Sequence, residues 1–129
     1  MASTVPKALS VVNVFFDVQG TLVAGGVPRP HVREVFTKLS TSGHDVYLWS
    51  SAGAGYAASA AELLGVEDLV FGCFSKLAPP PVSVDFVVDD LPDLVEYYGG
   101  YAIVPFDGLP EDRELWKVVE ALGRGVNSP

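Results

Sequence analysis

The 129-residue chain is 49% hydrophobic and 19% charged, enough apolar surface for one ordinary core and too short to promise two domains. Sixteen acidic against eight basic residues give a formal net charge of -8; that field repels polyanions, so no nucleic-acid binding is expected. The single cysteine, Cys73, excludes an intramolecular disulfide and points to a reducing, cytoplasmic setting, while no apolar run approaches the ~20 residues of a bilayer span, so no membrane partner is expected.

Along the chain, Val11 to Phe16 is a short β-branched and aromatic run that stops at Asp17, the mark of a buried strand. Gly20 through Pro30 carries Gly25-Gly26 and two prolines and reads as a loop with a short flap near residues 22–30. From His31 to Leu39, the apolar residues Val32, Val35, Phe36 and Leu39 recur at helical spacing, predicting a helix with one buried stripe that ends at Gly43. Asp45 to Trp49 repeats the strand pattern and ends in Ser50-Ser51. Alanine-rich Gly55 to Leu64 predicts a second helix, capped by Gly65.

Leu69 to Phe71 is a brief strand candidate, followed by Lys76 and the Pro79-Pro80-Pro81 connection. Val84 to Val88 is a further strand running into Asp89-Asp90. Leu91 to Tyr98 predicts a short helix with an early proline, Tyr101 to Val104 a strand, and Asp112 to Leu122 a closing amphipathic helix, with a frayed tail after residue 123. Strands and helices alternating at this spacing predict one doubly wound α/β domain over residues 1–129, with a mainly parallel sheet of about five strands, because parallel neighbours need crossover connections.

Ligands of open parallel sheets bind beyond the carboxyl ends of the strands. Those ends here carry Asp17, Ser50, Lys76 and Asp89-Asp90 in order. Carboxylates hold a hard cation such as Mg2+, and Ser50, Lys76 and backbone N–H groups hold a phosphate, a cup suited to phosphoryl transfer. Each residue alone has a plainer reading: an aspartate after a strand is more often a cap or turn former, Ser50 likewise, and Lys76 a solvated charge. Their shared position at successive strand ends favours the site. His31 and His44 are expected in surface roles, Cys73 as a small buried hydrophobe, and Tyr47, Trp49 and Trp116 in the core.

Asp17-Val18-Gln19-Gly20-Thr21, the Val46 to Ser50 strand, Lys76, and Val87-Val88-Asp89-Asp90 with Asp93 resemble, in order, the four motifs of the haloacid dehalogenase superfamily. The resemblance implies a three-layer, Rossmann-like core and a Mg2+-dependent phosphatase or phosphotransferase working through an aspartyl-phosphate. By that likeness Asp17 is nucleophile and metal ligand, and the Gln19 main-chain carbonyl also faces the metal. Ser50 and the N–H groups of Val18 and Ser51 bind phosphate, Lys76 steadies both phosphate and nucleophile, and Asp89 completes the metal site with Asp90 or Asp93 in support.

Two departures shape the expectation. Gln19 stands where the family carries the aspartate that protonates the leaving group and activates water, and a carboxamide does neither, which predicts slow turnover of ordinary monoesters. The alternative is a non-catalytic phosphate- and metal-binding module on the same fold. The second departure is the lack of room for a cap domain, as in capless members; an uncapped site is covered by a large substrate or by a neighbouring copy, so a phosphorylated small molecule or macromolecule and a homo-oligomer are the expected partners.

Overall fold

A computed structural model describes residues 11–127, with side chains up to residue 123. β1 (Asn13–Asp17) is buried from Val14 onward on both faces; only a central strand can bury every residue of such a run. It pairs in parallel with β4 (Asp45–Ser50), setting Asp17 opposite Trp49, and with β6 (Phe86–Asp89). β5 (Val70–Ser75) and β7 (Gly100–Ala102) form the edges, giving the order β5-β4-β1-β6-β7 with every pair parallel. The chain winds outward from β1 through β4 to β5, then returns to the other side at β6. The strand order therefore reverses beside β1, the position where open α/β sheets form their crevice.

Between β1 and β4, β2 (Val23–Ala24) and β3 (Val27–Pro28) make a two-stranded antiparallel hairpin, the expected flap. Gly25 and Gly26 both take positive φ, 56° and 80°, which a two-residue turn of this hand requires at both positions. α1 (Val32–Thr41) buries its predicted stripe of Val32, Val35, Phe36 and Leu39. α2 (Ala54–Leu64) ends on Gly65 as expected. α3 (Pro92–Tyr98) starts on its proline, and α4 (Trp116–Asn127) closes the chain.

The two faces of the sheet are covered unequally. On one, Val14, Phe16, Val46 and Leu48 pack against buried residues of α1, α2 and α4. On the other, Phe15, Tyr47, Trp49 and Val87 meet α3, the strand-linking segment around Val82 and Val84, and the Phe74 ring of β5. The reason is the β5 to β6 crossover: Pro79-Pro80-Pro81 lies where a helix would normally run, and proline cannot sustain a helix interior. The aromatic stacking of Phe15 on Tyr47, centroids 4.9 Å apart, and on Trp49, 4.8 Å apart, fills this thinner layer.

Several boundaries differ from the pattern reading. β5 extends to Ser75 rather than stopping at Phe71, and β7 ends at Ala102 rather than Val104 because its partner β6 ends at Asp89, opposite Ala102; the Val104 carbonyl beyond accepts from Arg29 Nη2 at 2.7 Å. The last helix starts at Trp116, not Asp112: the Asp112 carboxylate accepts the Glu114 N–H at 3.0 Å and holds a local turn instead. That helix continues past Gly123 to Asn127, where fraying was expected. His31 and His44 are half-buried rather than superficial. His31 takes the left-handed conformation (φ 74°) at the start of α1, and His44 Nδ1 accepts the Val12 N–H at 3.2 Å. Tyr47 and Trp49 lie in the core, while Cys73 and Trp116 pack partly buried against it. Among the described residues, no helix is long and apolar enough to cross a membrane.

Candidate functional site

Because neighbouring parallel strands end on the same side, β1, β4, β5 and β6 deliver Asp17, Ser50, Lys76 and Asp89 to one edge of the sheet. Lys76 follows Ser75 directly, and its N–H donates to the Ser50 carbonyl at 3.0 Å, tying the ends of β4 and β5 together. Its ammonium donates to Asp17 Oδ1 at 2.7 Å and to Asp89 Oδ2 at 2.8 Å. Both carboxylates are buried, Asp17 at 7% and Asp89 at 2% exposure. One lysine thus bridges residues that the sequence places far apart.

Asp90 joins them. Carboxylate oxygens of Asp17, Asp89 and Asp90 lie within 4.8 Å of one another. Three carboxylates against one ammonium leave surplus negative charge in a poorly hydrated place, which a divalent cation would neutralise. An all-oxygen donor set of this kind suits Mg2+ or another hard cation and offers nothing to a soft one. Asp93 is not part of the group; it sits exposed in the first turn of α3. Of the two candidates, Asp90 and not Asp93 joins the acidic group.

The loop after β1 is built to hold this geometry. The Val18 carbonyl accepts the N–H groups of Thr21, Leu22 and Val23, a tight coil that keeps Val18 wholly buried. Gly20 sits at φ 86°, and a Cβ there would lie 2.5 Å from Asp90 Oδ2, so neither the conformation nor the space accepts a side chain. Thr21 is fully buried, and its hydroxyl reaches Asp17 Oδ2 at 3.1 Å and Asp90 Oδ1 at 3.4 Å. One hydroxyl proton serves two acceptors, so Thr21 couples the two aspartates.

Electrostatics follow from burial. Loss of water pushes the Asp17 carboxyl from 3.8 up to about 6, outweighing the hydrogen bond and charge of Lys76; Asp89 and Asp90 push it further the same way. Burial works against the Lys76 ammonium too, but its hydrogen bonds to Asp17 and Asp89 and their charges prevail, and its pKa lies above that of a free lysine. Asp17 and Asp89 thus keep the proton on Lys76, while Lys76 opposes the protonation of Asp17 that burial favours.

A cavity of about 380 Å³ opens over this cluster, lined by Asp17, Gln19, Ser50, Ser51, Lys76 and Asp90, with Ala52, Tyr56 and Leu91 completing the wall. Six of the residues read from the sequence as site residues thus share one cavity. Asp89 lies behind Lys76, and Val18 lies beneath in the core. Ser50 Oγ accepts the Ala52 N–H at 3.0 Å, so the plainer turn-forming reading holds for its lone pair, while its hydroxyl proton stays available to the cavity it lines. The Asp89 Oδ1 likewise accepts the Leu91 N–H at 3.0 Å. Gln19 is exposed, and its Oε1 accepts the Tyr56 hydroxyl at 3.1 Å across the cavity mouth.

Tyr56, Thr21 and Arg29 were not read as functional positions. Tyr56 lies in an alanine-rich helix where nothing in the spacing marks it. Arg29 is 2% exposed in what reads as a Gly/Pro loop. Its Nε and Nη2 donate to Asp112 at 2.9 and 3.0 Å, its Nη1 donates to the Thr21 carbonyl at 3.1 Å, and Phe106 lies 5.3 Å beneath it. It holds the backbone of the residue that couples the site aspartates.

No protein-family model matches the chain, and no curated protein matches its sequence. The class that the fold and cluster define is therefore a structural one: a parallel α/β sandwich with an acidic, lysine-bridged pocket at the strand carboxyl ends.

Proposed function

We propose that the protein is a member of the haloacid dehalogenase superfamily and transfers phosphoryl groups through an aspartyl-phosphate on Asp17. The observation that carries this reading is the Lys76 ammonium clasped between Asp17 and Asp89 at the floor of the cavity, with Asp90 alongside. Lysine at that place neutralises the dianion that a carboxylate nucleophile must approach. Asp17, Asp89, Asp90 and the Gln19 main-chain carbonyl are the groups that would hold Mg2+, which when bound supplies further charge neutralisation on the phosphoryl oxygens.

In the forward step an Asp17 oxygen attacks phosphorus, the bond from phosphorus to the leaving oxygen breaks, and that oxygen takes its proton from solvent. Gln19 has none to give. Water then attacks phosphorus and loses a proton to solvent, the bond from phosphorus to the Asp17 oxygen breaks, and inorganic phosphate departs with the Asp17 carboxylate restored. Ser50 and the N–H groups of Val18 and Ser51 are assigned to the phosphoryl oxygens. The absence of a carboxylic acid at Gln19 favours substrates with good leaving groups, such as acyl phosphates, over alkyl esters. The retained ionic triad favours catalysis over the non-catalytic binding alternative, since mere phosphate capture has no use for a buried nucleophile. The operating compartment proposed is the cytoplasm.

The test is Mg2+-dependent capture of beryllofluoride, followed by fluorine NMR, alongside hydrolysis of acetyl phosphate. Capture and turnover are expected in the wild type and lost by more than about a thousandfold in Asp17→Asn, which keeps shape but not nucleophilicity. Capture without turnover would select the binding-module alternative; no capture would remove both.

A further inference from the structure

Beside the acidic cavity lies a second depression of about 190 Å³, and Lys76 lines both. Its other lining residues are uncharged: Trp49 from the end of β4, Leu77 and the 78–80 segment after Lys76, and Leu94 and Tyr98 from α3. This is the thinly covered face of the sheet, left open because the triproline crossover supplies no helix. The Trp49 and Tyr98 rings stand 6.1 Å apart at 56°, and Leu77 is 80% exposed at the rim. An exposed leucine and a half-open tyrosine at the edge of a hollow beside a charged cluster bear a solvation cost that an apolar occupant would relieve.

We propose that this groove seats the non-reacting part of the phosphoryl substrate, and that this part is an uncharged, ring-sized apolar group, as in an aryl phosphate. The proposal rests on the phosphoryl-transfer reading for the place of the phosphate and adds the chemistry of what the phosphate is attached to. Continuity argues for it: a phosphate drawn to Lys76 in the acidic cavity puts its ester substituent next to the other wall that Lys76 shares. Size agrees, since an apolar cavity of about 150 Å³ holds benzene. Charge agrees as well, because the lining offers no carboxylate for a cationic substituent, and its sole charge, Lys76, is already matched by Asp17 and Asp89. A flat ring gains edge or face contact with the open part of Tyr98 that an alkyl chain lacks.

Phenylphosphonate and methylphosphonate, which present the same non-hydrolysable anion with and without the ring, distinguish the idea when titrated calorimetrically into the full chain with Mg2+ and with both ligands fully ionised. Phenylphosphonate is expected to bind at least about tenfold more tightly. Tyr98→Ala and, separately, Leu77→Ala are expected to erase most of that preference while leaving methylphosphonate affinity unchanged. Leu77 packs on nothing essential, so at least one variant reports from a folded protein. Equal affinities in the wild type, a preference that survives both substitutions, or no phosphonate binding at all would overturn the groove assignment. Beryllofluoride capture on the same samples separates the two readings: capture with no ring preference sinks the groove alone, and ring preference without capture sinks the aspartyl-phosphate and leaves the groove as a binding subsite.

Discussion

Arg29 and Lys76 are both cations set into the body of the protein against aspartates, and they are balanced in opposite ways. Around Arg29 the accounts of charge and hydrogen bonding close: a bidentate match to Asp112, carbonyl acceptors at Thr21 and Val104, and the Phe106 ring beneath. Around Lys76 they do not, since one ammonium faces Asp17 and Asp89 with Asp90 close by, under an open cavity. A closed arrangement keeps a structure together; an open one has charge to spend on a ligand.

Breaking the closed arrangement gives the largest expected effect. Arg29→Met leaves the Asp112 carboxylate and two carbonyls without their donor, and urea unfolding should show a loss of about 3–5 kcal/mol. Removing the partner as well, in Arg29→Met with Asp112→Leu, should recover a good part of that loss, because the stranded charge goes with it. Saturating Mg2+ should not rescue either variant, whereas Lys76→Met, which leaves an excess of carboxylates at the cavity floor, should be restabilised by Mg2+ more than the wild type is. Equal responses to Mg2+ would erase the distinction between the two cations.

The next effect sharpens the open side. Gln19→Asp places a carboxyl group at the cavity mouth beside Tyr56, and turnover of alkyl phosphates should rise by about a hundredfold, within the range that general acid-base help supplies. Tyr56→Phe in the same background separates a gain in proton transfer from a simple release of the Tyr56 to Gln19 hydrogen bond: the gain should persist. A folded Gln19→Asp protein with no gain in steady-state rate would remove Gln19 as the reason for slow turnover.

The difference between the two sites also explains what the sequence could and could not reveal. Asp17, Ser50, Lys76 and Asp89 are legible because each ends an apolar strand, and parallel strands must bring their ends together; one local pattern repeated along the chain is enough. Asp93 was a candidate only through the likeness to the fourth motif, and in the first turn of α3 it stands exposed to solvent. Arg29 is illegible for the opposite reason. Its partner lies 83 residues away, neither residue belongs to a regular element, and a lone arginine among glycines and prolines ordinarily means a solvated loop. Beside the same pair, the Asp112 carboxylate holds a local turn ahead of α4 by accepting the Glu114 N–H, and Arg29 donates to the Val104 carbonyl just past β7, side-chain bonds that no apolar pattern announces.

Protonation should distinguish the open site next. Burial raises the Asp17 carboxyl from 3.8 to about 6, so the folded protein holds this proton more tightly than the unfolded chain does. The stability gained from that proton is complete below about pH 4 and is lost as the pH rises through about 6. Cation binding has the reverse dependence, because only the carboxylate is a ligand: Mg2+ affinity should be level above about pH 7 and fall by up to about tenfold per unit below about pH 6. Carbon-13 NMR of the Asp carboxyls reports the midpoint directly. A titration near pH 4 would mean that the site is wetter than its burial implies.

The smallest effect comes from a cation that is neither buried nor at a cavity. Arg33 on α1 donates from Nη1 and Nη2 to Asp68 at 3.0 and 2.7 Å, and Nη1 reaches the Gly65 carbonyl at 2.6 Å. Its geometry is as good as that of Arg29, but the two side chains are 52% and 61% exposed. Water and salt screen what burial would preserve, so Asp68→Asn should cost far less than Arg29→Met in urea unfolding, and less still at high ionic strength. A loss approaching that of Arg29→Met would show that hydrogen-bond geometry, and not removal from water, governs what an ion pair is worth in this fold.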